Sequence, residues 1–292
     1  MNARGWHPLL CIAALFHLAD AGPEDLRTEE IFKGIRYGAM SRSKPRTLRI
    51  HVVELDLDGK GIRLLVTRPN PESKGATDEV VLQKTSTFAR KSKVQVAING
   101  TFFMRGKGSM NEGEAAGVNF FAAHDGRVYS KGGPKEQVLF RWSEKLGMEL
   151  WVGPGESTWD FKPADGQMAL GMARWAQLLR DGEVVANDGK DNHPRTAIGL
   201  SKNRMKAWLA VVDGRQWGIS EGVALGELAA LMKELGAHAA INLDGGGSTT
   251  MVIQQPDGEY KVVNRPSDYF PLSVERACGT HIGIFAEKVR KQ

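Results

Sequence analysis

Ala207-Trp208-Leu209-Ala210-Val211-Val212, then Leu225, Leu228, Ala229, Met232 and Leu235 at helical spacing, then Ala239-Ala240-Ile241-Asn242-Leu243 follow one another along the chain. They read as strand, helix and strand, with Gly236 placed to end the helix through a left-handed cap. Such a succession usually forms a parallel strand pair with a right-handed crossover. The expectation is therefore an α+β (mixed α/β) domain: a mixed sheet with flanking helices and at least one βαβ unit. Ligands of open α/β sheets bind beyond the carboxyl ends of the strands, and Asp213 and Asp244 both stand at such ends.

Outward from that unit, Thr196 to Leu200 and Ala207 to Val212 form an expected antiparallel pair joined by Ser201-Lys202-Asn203-Arg204. Leu48 to Asp58 and Ile62 to Thr67 flank Asp58-Gly59-Lys60-Gly61 and read as a β-hairpin, Thr77 to Lys91 as a helix, and Val94 to Ile98 as a buried strand ending at Asn99-Gly100. The stretch from Asn119 to Phe140 reads as a meander. Ala97-Ile98-Asn99-Gly100-Thr101 also echoes Ala240-Ile241-Asn242 to Gly247-Ser248-Thr249.

The chain has 292 residues, 41% of them hydrophobic and 25% charged, which suits a soluble globular protein with a sizeable core. Its formal charge of +5 is spread along the sequence, so no nucleic-acid footprint emerges. Leu9 to Ala19 is a short apolar run followed by Ala19-Asp20-Ala21, the pattern of a signal peptide cleaved after Ala21. No segment approaches the roughly 18 apolar residues of a membrane span. These features predict a periplasmic or secreted protein without stable membrane insertion. Residues 1–21 are read as the signal peptide, 22–46 as a lead-in segment and 47–288 as the main domain. Cys278 is then the one remaining thiol, which excludes a disulfide scaffold and a thiolate metal site. His51, His124, His193, His238 and His281 are scattered without ligand spacing, so no metal or other cofactor is expected.

An Asp at the end of a buried strand followed by Gly245-Gly246-Gly247 places a carboxylate where backbone can approach a ligand closely. Successive N–H groups there can form an anion nest, although a tight turn before the strand Thr249 to Gln254 competes as a reading. Arg195, in His193-Pro194-Arg195-Thr196, offers a donor fork that matches phosphate or carboxylate. Asp213-Gly214-Arg215 is an ordinary turn or part of a site. Asn99 presents an amide or a hairpin turn, and Phe102 and Phe103 a core or a sugar-stacking wall.

Taken in order, Val96-Ala97-Ile98-Asn99-Gly100-Thr101, His193-Pro194-Arg195-Thr196, Val211-Val212-Asp213-Gly214-Arg215, Asn242 to Met251, Asn264-Arg265-Pro266-Ser267-Asp268 and Glu275-Arg276 resemble the phosphodiester glycosidase family from about Val94 to Phe285. The resemblance implies hydrolysis of a bond between a sugar anomeric carbon and phosphate. It maps family positions onto Asn99, Arg195, Thr196, Asp213, Gly214, Arg215, Asn242, Asp244, Gly245, Gly246, Gly247, Ser248, Asn264 and Arg276, and the same segments add Gly100 and Thr249. Asp244, Asp213 and Arg195 are the catalytic candidates and the others, Gly214 apart, bind substrate. Asp244 is assigned as nucleophile or general base, with the choice between the two aspartates open, and Arg195 with Gly245 to Ser248 as the phosphate site. Ala277-Cys278-Gly279 departs from the proline and valine common in the family after Glu-Arg. The competing functions are a non-catalytic sugar-phosphate-binding envelope module and a metal-dependent phosphodiesterase.

Overall fold

A computed structural model of the chain describes residues 25–58, 61–104, 111–133, 137–152, 158–187, 189–268 and 272–289. The expected signal peptide lies outside them. The largest sheet has eight strands in the order Thr28–Phe32, Ile35–Arg42, Leu48–Asp56, Lys206–Val212, Arg195–Leu200, Ala239–Asn242, Gln177–Arg180 and Glu183–Val184. A second, five-stranded sheet is ordered Tyr260–Val262, Met251–Gln254, Val96–Asn99, His281–Phe285 and Arg63–Val66. The third runs Arg127–Ser130, Ala122–His124, Met168–Ala173, Gln137–Ser143 and Gly147–Val152.

Alternation along the strands divides the large sheet into two apolar faces. Val53, Leu55, Ile198, Leu209, Val211 and Ile241 point into the main core, where they meet Ile98, Met251 and Ile282 of the second sheet and Phe140, Leu170 and Met172 of the third. Ile50, Val52, Ala197, Ala210 and Val212 point the other way, onto Leu228, Leu231, Met232 and Leu235. Those four belong to or directly follow the helix Leu225–Glu234, whose start is held by the Ala224 N–H donating to the Glu227 carboxylate at 2.9 Å and whose end turns at Gly236, φ 100°. A shorter helix, Thr85–Ser92, packs Phe88 and Ala89 on the outer face of the second sheet.

This architecture corrects the expected mixed α/β fold with flanking helices. The described residues are 44% strand and 11% helix, with two α-helices, and every neighbouring strand pair is antiparallel. The helix Leu225–Glu234 does carry the chain between two strands of like direction. They are not neighbours, because Arg195–Leu200 lies between them in antiparallel register, Arg195 opposite Val212 and Ala197 opposite Asn242. Strand–helix–strand order in the sequence cannot reveal an earlier strand inserted between the two.

Two local expectations also change. Leu48–Asp56 and Arg63–Val66 do not pair as a hairpin but enter different sheets, and Thr77 to Lys91 is helical only from Thr85, after two short strands, Val80–Val81 pairing with Ala115–Val118 and Gln83–Lys84 with Ala277–Cys278. Residues 22–46 supply Thr28–Phe32 and Ile35–Arg42 to the large sheet. No helix among the described residues is long and apolar enough to cross a membrane.

Candidate active site

The echoing segments meet in space. Asn99 ends its strand fully buried, and its amide donates to the Asp244 carbonyl at 2.7 Å. Its Oδ1 accepts from the Thr196 hydroxyl at 2.8 Å and the Thr250 N–H at 3.1 Å. In return the Asp244 N–H donates to the Gly100 carbonyl at 3.0 Å. Each bond contributes about 1 kcal/mol net, and leaving a buried partner unmade costs about 1–3 kcal/mol. Asn99, Gly100 and Thr196 therefore fix where Asp244 begins.

Asp244 is 8% exposed, and its carboxyl accepts from the Gly245 N–H at 2.8 Å. Burial pushes its pKa up to about 6, against the opposing pull of Ser248, the Gly245 N–H and the Arg276 charge. The glycines that follow leave room for two guanidinium groups. A Cβ on Gly246, whose φ is 62°, would sit 2.9 Å from Arg215 Nη1, and a Cβ on Gly247 would collide with Asp268 Oδ1 and Arg276 Nη2. Arg276 holds Asp268 with two parallel bonds of 2.7 Å. The N–H groups of Gly245, Gly246, Ser248 and Thr249 are all donated within the protein. An anion at this loop thus meets side-chain cations rather than a row of free N–H groups.

On the Gly246 side, Arg195, Arg215 and His193 form a basic group. Arg195 donates to the carbonyls of Val223 and Asp191 at 3.2 and 3.3 Å, and Arg215 donates to His193 Nδ1 at 3.2 Å. A guanidinium has no acceptor, so His193 Nδ1 carries the lone pair. Burial first, then Arg195 and Arg215, hold His193 below the usual histidine range; burial and Arg215 likewise lower Arg195. Neither arginine has an ion-pair partner among the described residues.

Asp213 is fully buried. Its Oδ1 accepts from the Asn264 amide at 3.0 Å and the Arg265 N–H at 2.9 Å, while Asn264 also donates to the Thr249 carbonyl at 3.1 Å. Oδ2 lies 3.8 Å from His51 Nε2, and His51 Nδ1 meets the Tyr37 hydroxyl at 2.9 Å. Burial and the Asp213 charge push the Tyr37 phenol up to about 12. Asp213 and Asn264 thereby tie the Thr249 end of the glycine loop to the 264–265 segment. Asn242 stands apart from this network: opposite Ala197, it belongs to the helix face of the sheet, and its amide donates to the Leu243 carbonyl at 2.8 Å.

The sequence reading gave no site role to Tyr37, His51 or Asp268, although Asp268 ends the quoted segment Asn264 to Asp268. Tyr37 and His51 sit in strands without a motif, and their signal is only that polar residues stand at inward positions. Phe102 is partly buried beside Phe120 and Trp175, and Cys278 is buried with its thiol pushed up by burial. A cavity of about 950 Å³ beside Arg63–Val66 is lined by Arg63, Phe88, Lys91 and Phe285 and by none of Asn99, Arg195, Asp213 and Asp244. The candidate site is the glycine loop instead, where the buried Asp244 carboxyl and the arginines stand. No three His, Cys, Asp or Glu side chains gather as a metal-binding cluster among the described residues.

A family model described as phosphodiester glycosidase matches residues 92–285. The catalytic domain of the zebrafish N-acetylglucosamine-1-phosphodiester alpha-N-acetylglucosaminidase, auto-inhibited by its pro-peptide, is similar at 20% identity and TM-score 0.61, over 93% of this chain and 92% of that one. A hypothetical protein from Synechocystis is similar at 17% identity and TM-score 0.61, over 92% of this chain, which spans 64% of that structure's length. A Burkholderia pseudomallei protein described as exported aligns at 16% identity and TM-score 0.60, over 82% of this chain and 74% of that one. No curated protein matches the sequence.

Proposed function

The chain belongs to the phosphodiester glycosidase family, and from that premise we propose that it hydrolyses the glycosidic bond of a sugar-1-phosphodiester with Asp244 as the reacting carboxyl. The observation that carries this reading is the glycine loop: a buried carboxyl with its pKa raised to about 6 stands before two glycines that admit guanidinium groups, beside Arg195 and Arg215, which have no ion-pair partner among the described residues.

Asp244, largely ionised at neutral pH, attacks the anomeric carbon or takes a proton from the water that does. The C–O bond breaks, the electron pair leaves with the phosphate, and water's oxygen ends on the sugar. A phosphate monoester leaving group departs as an anion, so no strong general acid is needed; Arg195 and Arg215 stabilise its charge. Arg276, already paired with Asp268, holds the loop and lowers the cost of ionising Asp244. Asp213, buried behind Asn264, keeps the loop in place.

Export to the periplasm or medium, with an envelope or extracellular glycan as substrate, is supported by Ala19-Asp20-Ala21 and by the exported description of the Burkholderia pseudomallei protein. The test is a panel of glycosyl phosphodiesters, aryl glycosides and bis-aryl phosphates. Turnover of the first class above the others supports the reading. Preference for bis-aryl phosphates points to a phosphodiesterase, and binding without turnover of any class points to a sugar-phosphate-binding module.

A further inference from the structure

The tight turn from Gln216 to Ser220 lifts one large apolar ring out of the protein: Trp217 is 90% exposed, while Gln216 and Ser220 at the ends of the turn are fully buried. The Gln216 amide donates to the Arg265 carbonyl at 2.8 Å. The Ser220 hydroxyl donates to the Asp213 carbonyl at 2.6 Å and accepts from the Arg49 N–H at 3.0 Å. Within the turn the Gln216 carbonyl accepts from the N–H groups of Ile219 at 3.0 Å and Ser220 at 2.8 Å, and Gly218 at φ 76° supplies the left-handed residue in third place. The ring therefore stands on a fixed base, and the entropy of ordering that base is settled before any contact is made.

Its surroundings carry cations and a second exposed apolar side chain. Arg215 stands two residues before it, at most about 7 Å of extended backbone, and the backbone of Arg49 is bonded to the turn. Both arginines are exposed, and neither has an ion-pair partner among the described residues. Arg265, whose carbonyl holds Gln216, donates to the Ser273 hydroxyl at 2.9 Å, next in the chain to Leu272, which is 78% exposed. Glu221 is the one acidic residue between Asp213 and Glu227. A protein partner would need a socket for a single protruding ring and a charge-depleted centre around it. A lipid headgroup region takes an indole without a socket, and anionic headgroups complement the guanidinium groups near it.

Beyond the hydrolytic reading, we infer that the Trp217 turn is a reversible docking surface for an anionic phospholipid bilayer, with the indole at headgroup depth and Arg49 drawn to lipid phosphate. Docking there brings Arg215, and the glycine loop beside it, to the lipid surface. Sedimentation of the full chain with vesicles of phosphatidylglycerol and phosphatidylcholine in equal parts should show binding that weakens as salt is raised and nearly vanishes on phosphatidylcholine alone. W217A should lower the affinity about ten-fold or more, and R49Q about five-fold. Brominated lipid should quench part of the tryptophan fluorescence, and W217F should abolish that quenching. W217A should keep its turnover of a soluble glycosyl phosphodiester. No binding to the anionic vesicles, equal binding by W217A, or quenching that persists in W217F overturns the inference. So does a W217A that loses turnover of the soluble substrate as far as it loses vesicle binding, which puts the ring in the active site instead. The vesicle assays use no substrate, so an unmutated protein that binds lipid but turns over no glycosyl phosphodiester refutes the hydrolytic reading alone.

Discussion

Replacing Asp244 with Asn should make the protein more stable and nearly inactive, and the gain should depend on pH. The carboxyl's pKa rises from 3.8 to about 6 on folding because burial disfavours its charge. At about 1.4 kcal/mol per unit, keeping it ionised in the folded protein costs about 3 kcal/mol at pH 7 and above. The native state holds the proton more tightly than the unfolded chain, so this group's contribution favours folding below about pH 4 and is lost as pH rises through 6. Asn keeps the acceptor for the Gly245 N–H at 2.8 Å and carries no charge. Urea unfolding should therefore show the variant more stable by about 2–3 kcal/mol at pH 8, with the difference closing by pH 4. Turnover of the glycosyl phosphodiester should fall at least about 10²-fold with substrate still bound. In the unmutated protein kcat/KM should rise through an apparent pKa near 6. A folded variant with near-normal kcat, or a stability difference unchanged between pH 4 and 8, refutes the reasoning.

Arg195→Ala removes a charge-assisted phosphate contact worth about 1.5–3 kcal/mol, so calorimetry should show affinity for inorganic phosphate falling about 10- to 150-fold, with activated aryl glycosides much less affected. Gly247→Ala puts a methyl group where Asp268 and Arg276 sit; it should cost more than about 2 kcal/mol and most activity by urea unfolding and rate assay, whereas Gly189→Ala, in open space, should stay within about 0.5 kcal/mol. Exhaustive chelation should leave turnover unchanged, and loss restored by one divalent ion would revive a metal-dependent mechanism.

The local patterns that share one element were legible in the sequence. The apolar face of Leu225 to Leu235 and its stop at Gly236 formed as read, as did the antiparallel pair Arg195–Leu200 with Lys206–Val212. The glycine run exceeded what a turn needs, and the reason lies far along the chain: Arg215 above Gly246, and Arg276 with Asp268 above Gly247. Relations between elements were not legible. Nothing local tells Leu48–Asp56 and Arg63–Val66 to join different sheets, or that Arg195–Leu200 separates two strands of like direction. The same limit hid Tyr37 and His51, which reach Asp213 only because three strands place them on one inward face.

The central claim is that the sugar C–O bond breaks, not the P–O bond, and hydrolysis of a glycosyl phosphodiester in ¹⁸O-labelled water tests it directly. The account predicts label in the anomeric hydroxyl of the released sugar and none in the phosphate monoester. Label in the phosphate contradicts it.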